Sequence, residues 1–161
     1  MQRRTFLATG LAPLLAACVP AGMPGGVDSL LARAEADPEL STFVAALKAA
    51  GLDSQLSGGG PYTVFAPTDA AFARLGKSRL DQLMSAGGQA KLRALLAHHI
   101  GRGSFTPKML TGQVLQIATL GGGSVVADGR KGLTVDRVPV TGKAVAAGNG
   151  MLYTITRVLK A

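Results

Sequence analysis

Apolar residues recur at helical spacing through the first half of the chain and in short runs between turns through the second. Leu30, Leu31 and Ala34 share one stripe and predict a short helix ending near Asp37-Pro38, because the residue before proline disfavours the α region. Leu40, Phe43, Val44 and Leu47 repeat at the same spacing, with Ser41 or Asp37 as candidate caps and Gly51 as the stop. Gly58-Gly59-Gly60-Pro61 reads as a turn, and Tyr62 to Phe65, aromatic and β-branched, as a strand. Pro67 keeps Ala66 extended and closes that strand. Thr68-Asp69-Ala70-Ala71-Phe72 then reads as a helix start, where Thr68 or Asp69 can accept from an orphan N–H of the first turn. Leu80, Leu83 and Met84 suggest another short helix. Gln89 to His98 is the strongest helical pattern, with Leu92, Leu95, Leu96 and His99 on one face and Lys91 and Arg93 outside.

From Ser104 onward the pattern changes to strands: Gln113–Leu120, Ser124–Ala127, Leu133–Val135 and Met151–Leu159. Gly121-Gly122-Gly123 and the hairpin-type pair Asp128-Gly129 punctuate them. Helices early and strands late predict an α+β domain, a two-sheet β-sandwich with its helices gathered along one edge. Thr63, Val64 and Phe65 would form a central strand, and the apolar final strand would dock in the core. The chain's 161 residues bound it to one domain. Aromatics make up 4% and Trp is absent, so the core must be mostly Ala, Leu and Val. Truncating a buried residue such as Phe65 or Leu159 to Ala should cost about 2–5 kcal/mol.

The first residues read as a targeting segment. Arg3 and Arg4 precede an apolar run from Phe6 to Ala17, which is too short to span a bilayer as a helix of about 20 residues. Arg3-Arg4-Thr5-Phe6-Leu7 resembles a twin-arginine export signal. Leu15-Ala16-Ala17-Cys18 resembles a bacterial lipobox, where the signal is cut before the cysteine and the thiol is acylated. Residues 1–17 are therefore expected to be removed, with Cys18 as the lipid anchor. Val19 follows it, rather than the acidic residue associated with inner-membrane retention, which favours the outer membrane in a Gram-negative cell. Residues 18–26 read as a Pro/Gly tether and 27–161 as the domain. With one cysteine no intrachain disulfide is possible, so the exported domain must hold itself together by packing.

Charge narrows the partners. The formal charge is +8; losing Arg3 and Arg4 leaves 15 basic against 9 acidic side chains, +6. The cations are scattered and few aromatics lie among them, so the clustered stripe of a nucleic-acid binder is missing. The charge reads as solvated surface with weak attraction to anionic lipid or polysaccharide.

Candidate chemistry is sparse. His98 and His99 are the only histidines, and neighbours on a helix point about 100° apart, so they do not converge on one metal. His99 reads as a buried ring bonded to backbone. No Gly-x-Ser-x-Gly elbow is present, and Gly121-Gly122-Gly123-Ser124 leads into a strand, without the context of a phosphate loop. No catalytic residue, cofactor or metal is expected. Asp69 reads as a cap or first-turn carboxylate favoured by the helix dipole, and Asn149-Gly150 as a turn accepting positive φ.

Two blocks carry a family resemblance. Thr63-Val64-Phe65-Ala66-Pro67-Thr68-Asp69 with Phe72, and Asn149-Gly150 followed by Val158-Leu159, resemble the two signature blocks of the fasciclin domain; His99 stands where that family carries a histidine after a Leu-rich helix. His98 replaces the usual Tyr, Tyr153 a frequent His, and Thr156 a frequent Asp. The resemblance implies a wedge of two packed sheets with helices along one edge. It also implies a role in cell adhesion or extracellular-matrix interaction, through an exposed sheet face or the corner after Pro67 meeting a protein or polysaccharide. Some fasciclin-like proteins bind ligands, and a core rich in Ala, Val and Gly with few aromatics could leave a groove, so carriage of an apolar small molecule such as a lipid or pigment is the second reading. Most of both blocks are expected to pack rather than to make contacts with a partner.

Overall fold

The computed structural model describes residues 29–160; the expected export signal (Arg3, Arg4, Phe6, Leu7), Cys18 and the tether lie outside them. Its helices are α1 (Leu30–Glu35), α2 (Ser41–Ala49), α3 (Asp53–Gly58), α4 (Asp69–Leu75), α5 (Lys77–Met84), α6 (Gln89–His98) and α7 (Pro107–Leu110). Its strands are β1 (Tyr62–Pro67), β2 (Ile100–Arg102), β3 (Val114–Ala118), β4 (Ser124–Asp128), β5 (Thr134–Val135), β6 (Val138–Pro139), β7 (Val145–Ala147) and β8 (Gly150–Ile155). The fold is α+β, as the patterning predicts.

Local chemistry sets most helix ends. Ser29 Oγ accepts the Ala32 N–H at 3.2 Å and starts α1. Gly51, at φ 66°, stops α2: the Leu52 N–H reaches the Leu47 carbonyl and the Gly51 N–H reaches Lys48, the paired bonds of a left-handed glycine cap. The expected caps of α2 do not cap it. Asp37 instead accepts the Glu39 N–H and opens a single 3₁₀ turn at Pro38–Leu40, and Ser41 is already inside the helix. The acceptor at the start of α2 comes from Asp69, on α4.

The strand pattern is corrected at three places. The final strand stops at Ile155, so Val158 and Leu159 lie beyond it, although Leu159 is still buried. Asp128-Gly129 does not make a two-residue hairpin, since a longer loop joins β4 to β5. The tight turn is Asp136-Arg137, at φ 47° and 66°, between β5 and β6. Both residues take the positive φ that two-residue hairpins need, without the glycine that would announce it. The short elements α3, α7, β2, β6 and β7 were not expected.

One sheet has the order β2-β1-β8-β7, the other β3-β4-β5-β6. In the first, β1 and β8 run parallel, Tyr62 opposite Gly150 through Pro67 opposite Ile155, and the remaining pairs are antiparallel. The sheets meet at both ends, through the bridges Gly101 to Thr119 and Val140 to Ile155. β1 and β8 lie between two apolar layers, and nearly all of their residues are buried, as parallel strands covered on both faces require. On one side Val64, Ala66 and Leu152 pack with Phe43, Leu47, Leu92 and Leu96 of the helices. On the other Phe65, Met151, Tyr153 and Ile155 pack with Ile117, Val125, Ala127 and Val135 of the second sheet.

Two polar brackets lock this arrangement. Asn149 Oδ1 accepts the Leu30 N–H at 2.8 Å, and its Nδ2 donates to the carbonyls of Leu56 and Gly59 at 2.7 and 2.9 Å, so one amide ties α1 and α3 to the start of β8. Gly150, at φ 151°, follows because a Cβ there would lie 1.8 Å from the Tyr62 carbonyl oxygen. The second bracket is His99, fully buried at the end of α6. Its Nε2 accepts the Leu159 N–H at 2.9 Å, so the ring proton sits on Nδ1 and is donated to the Leu95 carbonyl at 2.7 Å. Burial lowers the imidazole pKa to about 4, against the opposing pull of the Leu95 carbonyl.

Both brackets yield stability tests. Asn149→Ala strands one N–H and two carbonyls and should cost about 2–3 kcal/mol in urea unfolding. Asn149→Asp, which turns two donors into an anion facing carbonyls, should cost at least as much. For His99 the folded pKa lies below the ordinary 6.5, so the unfolded chain binds the extra proton first on acidification. Its contribution is complete above pH 6.5 and is lost as pH falls towards 4, reaching about 3 kcal/mol. The urea midpoint should therefore already decline between pH 6.5 and about 5, above the carboxylate range, and His99→Gln should abolish that part of the slope.

Candidate interaction surfaces

The signature residues are largely spent on the frame. The Thr63 hydroxyl, fully buried, donates to the Gly103 carbonyl at 2.7 Å and accepts the Phe105 N–H at 2.9 Å. Phe65 stacks on Tyr153 with ring centroids 5.7 Å apart. The Tyr153 hydroxyl donates to the Phe105 carbonyl at 2.7 Å, and burial pushes the phenol up to about 12. Where the family often has a histidine, this chain thus has an aromatic that fills the inter-sheet layer. Val64, Ala66 and Phe72 face the helical core. Pro67 closes β1 and is buried. Val158 is half-buried against the helical core, and Leu159 lies in the inter-sheet core beside His99.

The corner after Pro67 is equally occupied. Thr68 Oγ1 accepts the Ala71 N–H at 3.2 Å and caps α4. Asp69 sits in the first turn of α4, yet its carboxylate turns outward to α2. Oδ2 accepts from the Ser41 hydroxyl at 2.6 Å and Oδ1 from the Thr42 N–H at 2.8 Å. One carboxylate thereby serves the electropositive starts of two helices. Burial pushes its pKa up, but the bonds from Ser41 and Thr42 outweigh that and hold it below the ordinary value.

The outer face of the second sheet is different. Val114 on β3 and Val126 on β4 are 46% and 42% exposed, and a shallow hollow of about 520 Å³ lies over them, flanked by Asp128, Arg130, Asp136 and Arg137. Arg130 donates to both oxygens of Asp128, at 3.2 and 2.9 Å, which holds that carboxyl down at about 2. Asp136 Oδ1 accepts the Val126 N–H at 2.8 Å, while its Oδ2 lies 3.8 Å from Nε2 of the half-buried His98. The two valines share this outer face with Gln116, which lies opposite Val126, and with charges of both signs. The sequence did carry its signal: Val125 and Val126 are adjacent on one strand, so one of them must face outward. Among the described residues no group of three or more His, Cys, Asp or Glu side chains is placed to hold a metal ion. No described helix is long and apolar enough to cross a membrane.

Comparison with known proteins accounts for this frame. The family model of the fasciclin domain matches residues 38–161. Protein sll1483 of Synechocystis is 37% identical over 74% of this chain and 66% of its own length. Immunogenic protein MPT70 of Mycobacterium tuberculosis is 34% identical over 87% of this chain and 73% of its own. Among solved structures, a FAS1 domain pair from the insect cell adhesion molecule fasciclin I superposes with a TM-score of 0.70 at 18% identity, over 83% of this chain and 51% of that one. The chain thus spans about half of that pair, and a little under two thirds of the Synechocystis protein. The matched span contains both blocks, helices α2 to α7 and the two sheets, and on these grounds the chain belongs to the fasciclin domain family.

Proposed function

We propose that this chain is an exported lipoprotein, anchored through Cys18, whose fasciclin domain is a non-catalytic module for adhesion to a protein or polysaccharide surface of the envelope or its surroundings. The observation that carries the reading is the exposed strip of Val114 and Val126 with its charged frame, on a fold shared with a domain pair from a cell adhesion molecule. The net positive charge adds weak long-range attraction to acidic polymers. Acyl chains on Cys18, at about 0.8 kcal/mol per buried methylene, would give a durable anchor, and residues 18–26 the reach.

The reading is tested in cells. Cys18→Ala should move the chain from the membrane to the soluble fraction. Protease should cut the domain in intact cells if it faces outward; protection until the outer layer is permeabilised would place the partner inside the envelope instead. The pair Val114→Glu and Val126→Glu lies on an exposed face and should leave stability within about 0.5 kcal/mol of the parent. Binding of the purified chain to envelope or matrix material should fall about tenfold. Unchanged binding would remove the sheet face from the model.

A further inference from the structure

We propose that a groove among α4, α5, α6 and residues 158–160 binds an anionic single-chain amphiphile, with the alkyl tail on the groove floor and the headgroup among cations at its rim. This goes beyond adhesion and uses a different face. The groove measures about 580 Å³, inside the range of roughly 300–1,000 Å³ usual for small-molecule sites. Leu75, Leu83, Leu95 and Val158 supply its apolar floor. Leu95 was expected on the core face of α6 but is only half-buried and opens onto the groove. The wall has the same character: α5 contains no fully buried residue, and its Leu80, Leu83 and Met84 are only partly covered.

The charge around this floor is of one sign. Arg79, Lys91 and Lys160 stand at the rim, and no acidic residue lines the groove. An adjoining hollow of about 520 Å³ continues past Arg79 and Lys91, and another adds Arg74 and Arg157; neither is lined by an acid. No ion pair joins Arg79, Lys91 or Lys160 to another described residue. Unmatched like charges around an apolar floor repel one another, and a single anion on a hydrocarbon tail would relieve that repulsion while covering the floor. A long-chain carboxylate is the simplest molecule with that distribution. A neutral lipid would leave the cations unanswered, and an extended bilayer surface does not enter a concave groove.

The test uses the full chain in zwitterionic nanodiscs, with palmitate carrying a photoreactive diazirine near its tail as the probe and the matched alcohol as control. Mass spectrometry of the labelled peptides should place adducts within residues 75–95 and 158–160, with the acid labelling about tenfold more than the alcohol. The exposed pair Arg79→Glu and Lys91→Glu should reduce acid labelling by a similar factor and leave the unfolding midpoint unchanged. The milder pair Arg79→Gln and Lys91→Gln should give an intermediate loss, which serves as the measure should the charge reversal disturb folding. Equal labelling by acid and alcohol, adducts confined to other peptides, or glutamine variants that label like the parent would each overturn the proposal.

Discussion

The parallel pairing of β1 with β8 is the contact on which the rest of the fold depends. Each strand is one residue thick, yet between them they present a face to the helices and a face to the second sheet. Val64 and Leu152 belong to one apolar layer, and Phe65 and Tyr153 to the other. A register slip of one residue on either strand would exchange the two sets and ruin both layers at once. The brackets lie where such a slip would begin. Asn149 and Gly150 fix the entry to β8 against Tyr62 and the first helices, and His99 holds the chain after β8 through Leu159. These polar groups decide position as well as adding stability, because each is satisfied in only one alignment.

This division of labour separates architecture from recognition. The signature blocks are spent on internal bonds and packing, so their presence identifies the frame and says little about the partner. The surfaces left over are built from other positions, with two valines on the second sheet and a ring of cations around the α5–α6 groove. Frame and surface can therefore vary independently.

What the sequence made legible follows the range of the interactions involved. Helical spacing marked α1, α2 and α6, and β-branched and aromatic residues marked β1, because those signals arise within a few residues. The resemblance of the two blocks then supplied the two-sheet wedge that no periodicity could, while the parallel pairing of β1 with β8 is seen only in the structure. The missed features depend on partners distant in sequence. Asp69 reads locally as the cap of its own helix, and only the packing of α4 against α2 shows that it serves Ser41 and Thr42. Asn149 reads as a turn residue until α1 and α3 are brought beside it. Asp136-Arg137 turns without glycine, with the Asp136 carboxylate accepting the Val126 N–H of the neighbouring strand β4. Leu95 fits the core stripe of its helix, yet the half-open packing of α5 leaves it facing a groove.

The place of β8 in the chain also sets the order in which the protein can be built. Every layer needs residues 150–159: the helices lack Leu152, the second sheet lacks Tyr153 and Ile155, and His99 lacks its donor until that stretch has been synthesised. While a ribosome is still making the earlier parts, the emerging polypeptide holds helices and hairpins but no finished core. Closing either layer requires contacts between pieces distant in sequence, which costs loop-closure entropy before the contacts repay it. A chain cut short before β8 would leave both apolar layers open at once, so one truncation would undo the helical core and the inter-sheet core together.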